Sequence, residues 1–303
     1  MLNYIEPLFR PPSEARSLIL QVTNGCSWNN CTFCEMYTTP QKKFSVKTAE
    51  QITQELQQIA ASQVVASSVP VRRVFLADGD AMTLSFRRLK ETLLLIRQYL
   101  PDVQMVSSYC LPRNLKNKTI DQLTELEQLG LKLMYVGCES GDDLVLEKVA
   151  KGENYKSSLE ALTKIKQAGI KSSVMILNGL GGRLYSEQHA VNSAKLMNET
   201  QPEYLSTLVV SFPTGMERFQ QGFGDSAGDS FEPLQQMDLF KEMEILLDSL
   251  TLEKTVFRSD HASNYLVLKG TLSRDKERLL TQVRTAIHNP DRIHLRQEWQ
   301  RGL

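Results

Sequence analysis

Three cysteines carry the most specific chemistry in this chain. Cys26, Cys31 and Cys34 fall in a C-x4-C-x2-C spacing within Gln21–Tyr37, which reads QVTNGCSWNNCTFCEMY. An apolar run over residues 18–22 leads straight into them. Three thiolates within nine residues, on a loop after an expected strand, form a ligand set rather than a packing motif. Two kinds of centre suit them. A structural zinc site wants four ligands closed into a tetrahedron. A [4Fe–4S] cluster also takes cysteine thiolates, usually four. No fourth ligand is local: no histidine follows at zinc-finger spacing, and Cys110 and Cys138 lie far along the chain. Three cysteines on a cluster leave one iron open, and an open iron can bind and cleave a substrate. Zinc and incidental thiols remain as alternatives on the residues alone.

Other stretches set charged or polar groups beside turn residues. Asp78-Gly79-Asp80 could let a backbone approach a ligand while its carboxylates take an ammonium group, or it is an ordinary Asp-Gly turn. Arg113, in SYCLPR, could hold a carboxylate in a bidentate grip or point into solvent. Cys110 reads as a buried thiol. Glu139, in GCESGDD, could accept hydrogen bonds from the hydroxyls of a ligand or simply place charge at a helix N-terminus. Asn178-Gly179-Leu180-Gly181-Gly182 needs a special backbone, but no Gly-Lys-Ser/Thr follows, so a P-loop is excluded. Residues 258–265, RSDHASNY, place His261 and Asn264 between apolar runs. They suit a substrate contact, a fourth ligand if the metal were zinc, or a structural network. His189, His288 and His294 read as surface residues on helices or the tail.

These residues need elements to hold them, and the apolar periodicity supplies a rhythm. Strands are expected at 18–23, 71–77, 103–107, 131–136, 171–177 and 204–210. Helices are expected between them at 48–61, 85–100, 119–129, 142–150, 155–168 and 186–197. Strands that alternate with helices mean parallel pairing with crossover helices. A closed eight-stranded barrel needs about 250 residues of such units. Six units within 18–215 fit an open, partial (β/α)6 barrel, with a flavodoxin-like sheet as the alternative. In parallel barrels the strand C-termini carry the chemistry, and the stretches above follow successive strands. Residues 1–17, with Pro7, Pro11 and Pro12, read as an extended arm packed on the body. Residues 216–303 read as a mixed α/β extension covering the barrel, with a helix at 234–250, short strands at 255–258 and 265–268, and a helix at 273–288.

The cysteine loop resembles the radical S-adenosylmethionine (SAM) superfamily, whose C-x3-C-x2-C loop after the first strand holds a [4Fe–4S] cluster. Phe33 before the third cysteine matches; one extra residue between the first two does not. Asp78, Gly79 and Asp80 stand where the family has a Gly-Gly-Glu-like turn for the methionyl amine of SAM. Tyr109 stands where some members place an acid. Gly137-x-Glu139-Ser140-Gly141-x4-Leu146, followed by Lys151-Gly152, is similar to the coproporphyrinogen-oxidase-like and Fe–S oxidoreductase branches. That likeness implies ribose contacts from Glu139 and Ser140 and a grip on the SAM carboxylate from Lys151. Asn178 and Gly179 match a Gly-x-Gly-like motif against which adenine and ribose pack. Ser211 and Phe212, opening SFPTG, match a region whose backbone contacts adenine. The resemblance decides for the partial barrel. It implies SAM and a [4Fe–4S] cluster as cofactors and a one-electron donor such as flavodoxin or ferredoxin. The expected activity is reductive SAM cleavage to a 5′-deoxyadenosyl radical that takes hydrogen from a small organic substrate, an oxidoreductase chemistry. Tyr109, Arg113, His261 and Asn264 are candidate substrate contacts.

Composition narrows the class. Lys+Arg and Asp+Glu are 35 each in 303 residues, so net charge gives no footprint for nucleic acid or an anionic membrane. Arg72-Arg73 and Arg87-Arg88 read as solvated faces. No run of about 20 apolar residues exists, and no apolar signal core opens the chain. The expectation is a cytoplasmic protein in a reducing compartment. Five cysteines, three of them clustered, argue against a disulfide framework. Few residues precede the first strand and none of the cysteines lies beyond residue 138, so neither a cobalamin-binding nor an auxiliary-cluster domain is expected. Two rivals remain: a zinc-stabilised binding protein, and an Fe–S or heme carrier on the same fold that does not turn SAM over.

Overall fold

The computed structural model describes residues 3–66, 70–213, 215–224 and 230–302. Thr214, in the SFPTG stretch, lies outside the described residues. Two compact units emerge: Met1–Asn29, Cys34–Val136 and Thr163–Ser172 form one, and Asn30–Phe33, Gly137–Leu162 and Ser173–Leu303 the other.

The first unit opens with β1 (Leu18–Gln21) and β2 (Thr23–Asn24). The cysteine loop follows, then β3 (Ser45–Val46), α1 (Ala49–Ala66), β4 (Arg73–Ala77), α2 (Phe86–Tyr99), β5 (Met105–Cys110), α3 (Ile120–Gln128) and the start of β6 (Leu131–Glu139). β1, β4, β5 and β6 pair in parallel, with Leu18 beside Val74, Arg73 beside Met105 and Cys110 beside Val136. Val74, Phe75, Leu76 and Ala77 are all fully buried. A strand buried on both faces reads as a continuous apolar run, which is why VFLA stands out in the sequence. The helices begin where the chain supplies caps. The Ser85 hydroxyl accepts from the Arg88 amide, and Thr119 and Gln122 form a reciprocal capping box. Two hydrogen bonds tie the N-terminal residues to β1: Tyr4 donates to the Ile19 carbonyl at 2.8 Å, and the Ile5 amide to Gln21 at 2.9 Å.

The second unit takes the end of β6, then α4 (Asp143–Lys148), the part of α5 (Tyr155–Gln167) before Thr163, β7 (Lys171–Asn178) from Ser173 on, α6 (Gly182–Thr200), β8 (Tyr204–Val209), α7 (Glu217–Gln220), α8 (Gln236–Ser249), β9 (Val256–Ser259), β10 (Leu268–Thr271) and α9 (Leu272–His288), while the rest of α5 and the start of β7 belong to the first unit. β7 and β8 pair in parallel, and β9 continues the sheet parallel to β8. β10 then pairs antiparallel with β9. The extension thus adds two strands to the sheet. Its second strand lies at 268–271 and not at 265–268. The carbonyls of Asn264 and Tyr265 are taken instead by the side chain and amide of Arg296, so that turn has no ladder to offer. Helix α6 starts four residues earlier than the periodicity indicates, directly on the glycine turn. The alternation of parallel strands with helices is the α/β architecture that the sequence pattern implies.

Candidate cofactor site

In the first unit the ends of β1 and β4 are laced together. The Val22 amide donates to the Ala77 carbonyl at 2.6 Å and the Asp78 amide to the Thr23 carbonyl at 3.0 Å. The chain then turns at Gly25, whose φ is +69° and where a Cβ would lie 2.0 Å from the Lys42 carbonyl oxygen. Only glycine passes there. The loop beyond it carries half-buried Cys26 and Cys34. Asp78, Gly79 and Asp80 meet this loop. Gly79 faces the Tyr37 ring, which a Cβ would meet at 2.3 Å. Asp80 accepts from the amide and hydroxyl of Ser27. Burial pushes the Asp80 carboxyl above its usual range, against the pull of Ser27.

Asp78 already has a cation. Lys42 Nζ lies 2.5 Å from its Oδ2, with both side chains fully buried, and also donates to the Ile5 carbonyl at 2.6 Å. Nothing in the Gln41-Lys42-Lys43 run marks Lys42 as the buried lysine; its partner lies 36 residues away. Arg113 does not extend into solvent: its guanidinium stacks 3.8 Å above the ring of Trp28, inside the C-x4-C segment. Tyr109 packs edge-on to Phe75 at 5.1 Å and lies 6.2 Å from Tyr135, in an aromatic trio.

In the second unit Cys31 is buried, and the amide of its neighbour Thr32 donates to the Val149 carbonyl at 3.0 Å. Glu139, the last residue of β6, has φ of +64°, a conformation that a non-glycine residue adopts rarely and that often marks a functional turn. Its carboxylate meets Lys151 Nζ at 3.1 Å. A Cβ at Gly137 would sit 2.2 Å from the Glu139 carboxylate, so glycine there makes the room. Burial works against the charge on Lys151, but the Glu139 carboxylate, with Cys31 behind it, holds its ammonium above the usual lysine range. The ring of Phe33 lies 5.7 Å from the same ammonium. Cys138 beside Glu139 is a buried thiol that burial pushes up to about 12, so it stays protonated.

Ser140 does not point outward. Its hydroxyl lies 2.7 Å from Nδ1 of His189, which corrects the reading of His189 as a surface residue: it is 1% exposed. His189 Nε2 donates to the Leu177 carbonyl at 3.0 Å. Asn178 ends β7, and the Gly179 amide donates to Glu242 of α8 at 2.6 Å. Ser211 is half-buried. Phe212 joins an aromatic cluster, 4.8 Å from Phe219 and 5.9 Å from Phe231. His261 and Asn264 serve a local network. His261 Nδ1 accepts from the Ser263 amide at 3.1 Å, and Asn264 donates to the Thr207 carbonyl at 2.9 Å. Among the described residues no group of three or more His, Cys, Asp or Glu is gathered as for a metal ion, Cys26, Cys31 and Cys34 included.

The profile of the radical SAM superfamily matches residues 20–196, more than half of the chain. This chain belongs to the radical SAM superfamily. The match spans the cysteine loop, Asp78–Asp80, Glu139, Lys151 and the glycine turn, and it ends within α6. Among curated relatives, the heme chaperone HemW of Bacillus subtilis (strain 168) is 20% identical over 169 residues, covering 54% of this chain and 43% of that protein. Among solved structures, coproporphyrinogen III oxidase (HemN) from Escherichia coli, described as a radical SAM enzyme, aligns with a TM-score of 0.56 at 20% identity. The alignment covers 77% of this chain and 52% of HemN. The radical SAM methyltransferase TsrM from Kitasatospora setae aligns with a TM-score of 0.50 at 16% identity, over 64% of this chain and 34% of that one. The chain spans about half the length of these relatives or less. At such identities the structural likeness shows the fold, which is that of the radical SAM enzymes. No described helix is long and apolar enough to cross a membrane.

Proposed function

We propose that this radical SAM protein binds a [4Fe–4S] cluster through Cys26, Cys31 and Cys34, binds SAM beside it, and acts on a small organic substrate. The residues fit the two cofactors. The donor set is three thiols on one glycine-hinged loop, as a cluster with an open iron requires. The observation that carries the reading is the Glu139–Lys151 pair. An acid held at positive φ and a buried ammonium of raised pKa stand side by side at a strand C-terminus. Glu139 would accept the ribose hydroxyls and Lys151 would hold the SAM carboxylate by a charge-assisted hydrogen bond. Asp78 is already neutralised by Lys42, which leaves Asp80 as the carboxylate for the methionyl ammonium. Gly179 and the backbone of Ser211 and Phe212 would flank the adenine. When bound, the cluster and SAM supply one-electron cleavage of the sulfonium and so start hydrogen abstraction; the protein positions them and excludes water. A one-electron donor of the flavodoxin or ferredoxin class is the partner this chemistry requires.

The test is electron paramagnetic resonance on anaerobically reconstituted, dithionite-reduced protein, with and without SAM, coupled to a chromatographic assay for 5′-deoxyadenosine. A reduced-cluster signal that shifts with SAM, together with the nucleoside product, is the expected result. Cys31→Ala should lose cluster iron and acid-labile sulfide; wild-type levels of both would refute the ligand assignment. The likeness to a heme chaperone favours one second reading, a carrier that binds heme and SAM without turnover. Stoichiometric heme binding with no 5′-deoxyadenosine under any reductant would select it.

A further inference from the structure

Helix α6 hides a polar face. Ser186, His189 and Ser193 recur at i, i+3 and i+7, the spacing of an apolar core stripe. His189 and Ser193 are buried and Ser186 is half-buried. Each has a task. The Ser193 hydroxyl accepts from the Gly141 amide at 2.9 Å. His189 gives Nε2–H to the Leu177 carbonyl, which leaves Nδ1 as an acceptor for the Ser140 hydroxyl. The Ser140 oxygen in turn accepts from the Asp142 amide at 3.0 Å. On the other side of His189 lies Glu242 of α8, 2% exposed, with Oε1 4.0 Å from Nε2. Glu242 spends one oxygen on the Gly179 amide and the other on the Ser186 hydroxyl, each at 2.6 Å. Leu239, one turn earlier on α8, stands where a Cβ on Gly179 would meet it at 3.2 Å.

A serine, a histidine and a carboxylate in a row invite comparison with acyl-transfer triads. Burial rules that out: Ser140 is fully enclosed, with its hydroxyl engaged by His189 and the Asp142 amide, so no substrate carbonyl can reach it. The network faces backbone. Its end points are the amides of Gly141, Asp142 and Gly179 and the carbonyl of Leu177, which together define the turns after β6 and β7.

We infer that Glu242 and His189 are positioning residues for the nucleoside end of the SAM site, with Glu242 supplied by helix α8, beyond the superfamily match. Glu242 anchors the Gly179 turn, and His189 anchors the residue next to Glu139. The inference rests on the reading of these turns as the SAM site. A buried carboxylate that accepts a backbone N–H makes a strong, directional bond and costs desolvation to place. That cost is understandable when the turn must be held rigid. Burial raises the Glu242 carboxyl above its usual range, opposed by His189, Ser186 and Gly179, in keeping with a group placed for geometry and not for surface charge.

Hydrogen–deuterium exchange of the peptide over residues 177–182, on the full chain, reads the anchor directly. Glu242→Ala should speed exchange of the Gly179 amide about tenfold or more, the worth of a charge-assisted bond, while β7 amides keep their protection. Glu242→Gln retains an acceptor for Gly179 and should restore slow exchange. In cluster-loaded protein, SAM affinity measured by calorimetry should fall about tenfold for Glu242→Ala in proportion to the lost population of ordered turn, and return for Glu242→Gln. If Glu242→Ala does not fold, Ser186→Ala removes only the second anchor and should give a smaller acceleration at the same amide. Unchanged exchange in these variants overturns the inference. So does faster exchange with unchanged SAM affinity, which would leave the SAM reading standing. A wild-type chain that binds the cluster but no SAM overturns the reading of the site, and this inference with it.

Discussion

Two buried lysine–carboxylate pairs among the described residues differ in kind. In the first unit Lys42 and Asp78 meet at 2.5 Å with neither side chain exposed. In the second Lys151 and Glu139 meet at 3.1 Å, and the Glu139 side chain keeps 11% of its exposure. The first pair is sealed. Lys42 also holds the Ile5 carbonyl, so its ammonium knits the N-terminal arm to the end of β4. The second pair sits on a strained strand end, with a glycine on one side to make room and a phenylalanine ring beside the ammonium. On the function proposed above, the two similar ion pairs carry different duties: the sealed pair fixes a turn, and the pair that keeps some exposure would exchange partners with a zwitterionic ligand.

Breaking each pair should separate these duties. Lys42→Met leaves an unpaired buried carboxylate and should cost about 3–5 kcal/mol of unfolding free energy. Chemical denaturation measures it, and Lys42→Met with Asp78→Leu should recover most of the loss because no charge is then stranded. A cost near zero for the single variant would mean that water reaches Asp78. Lys151→Met should cost less, about 1–3 kcal/mol, since Glu139 can turn to water. Its larger effect should fall on SAM affinity, about tenfold or more by calorimetry. A variant that loses stability but binds SAM normally would make the second pair as structural as the first.

Glu242 sharpens the contrast as a buried carboxylate with no lysine. Its folded pKa is raised, chiefly by burial. Between the unfolded carboxylate value, about 4.3, and that raised value the native state binds more protons than the unfolded one, so its contribution to stability falls as pH rises through the interval. Glu242→Gln should remove that slope. The variant should match or exceed the wild type in melting temperature near pH 8 and lose its advantage below pH 4. A wild type whose stability does not fall across that interval, relative to the variant, would show that His189 compensates the charge fully.

The legible part of the site is local in sequence. Cys26, Cys31 and Cys34 stand out by spacing, and the resemblance names Glu139 and Lys151 one by one, but that the two meet as an ion pair is seen only in the structure. Gly25, Gly79 and Gly137 lie in the named stretches because backbone must pass close to a side chain or carbonyl there. The helix caps at Ser85 and Thr119 set two helix starts to within one residue. The strand expected at 265–268 failed because the apolar residues of that run sit in a turn whose carbonyls are claimed by Arg296. Arg113 was legible as a loop arginine, but its stacking on Trp28 depends on two loops meeting.

The amino-acid sequence by itself determined the α/β rhythm, the thiol loop and the order of the turns that follow the strands. Each of these depends on neighbours a few residues apart, and periodicity and spacing record such neighbours. Tertiary structure alone decided which ionisable groups are sealed. Lys42 finds Asp78 across 36 residues, Ser140 finds His189 across 49, and Gly179 finds Glu242 across 63. Burial gives those contacts their strength, because a charge or hydroxyl removed from water must be met by a partner. No local pattern distinguishes such a partner from the solvated lysines, histidines and glutamates around it.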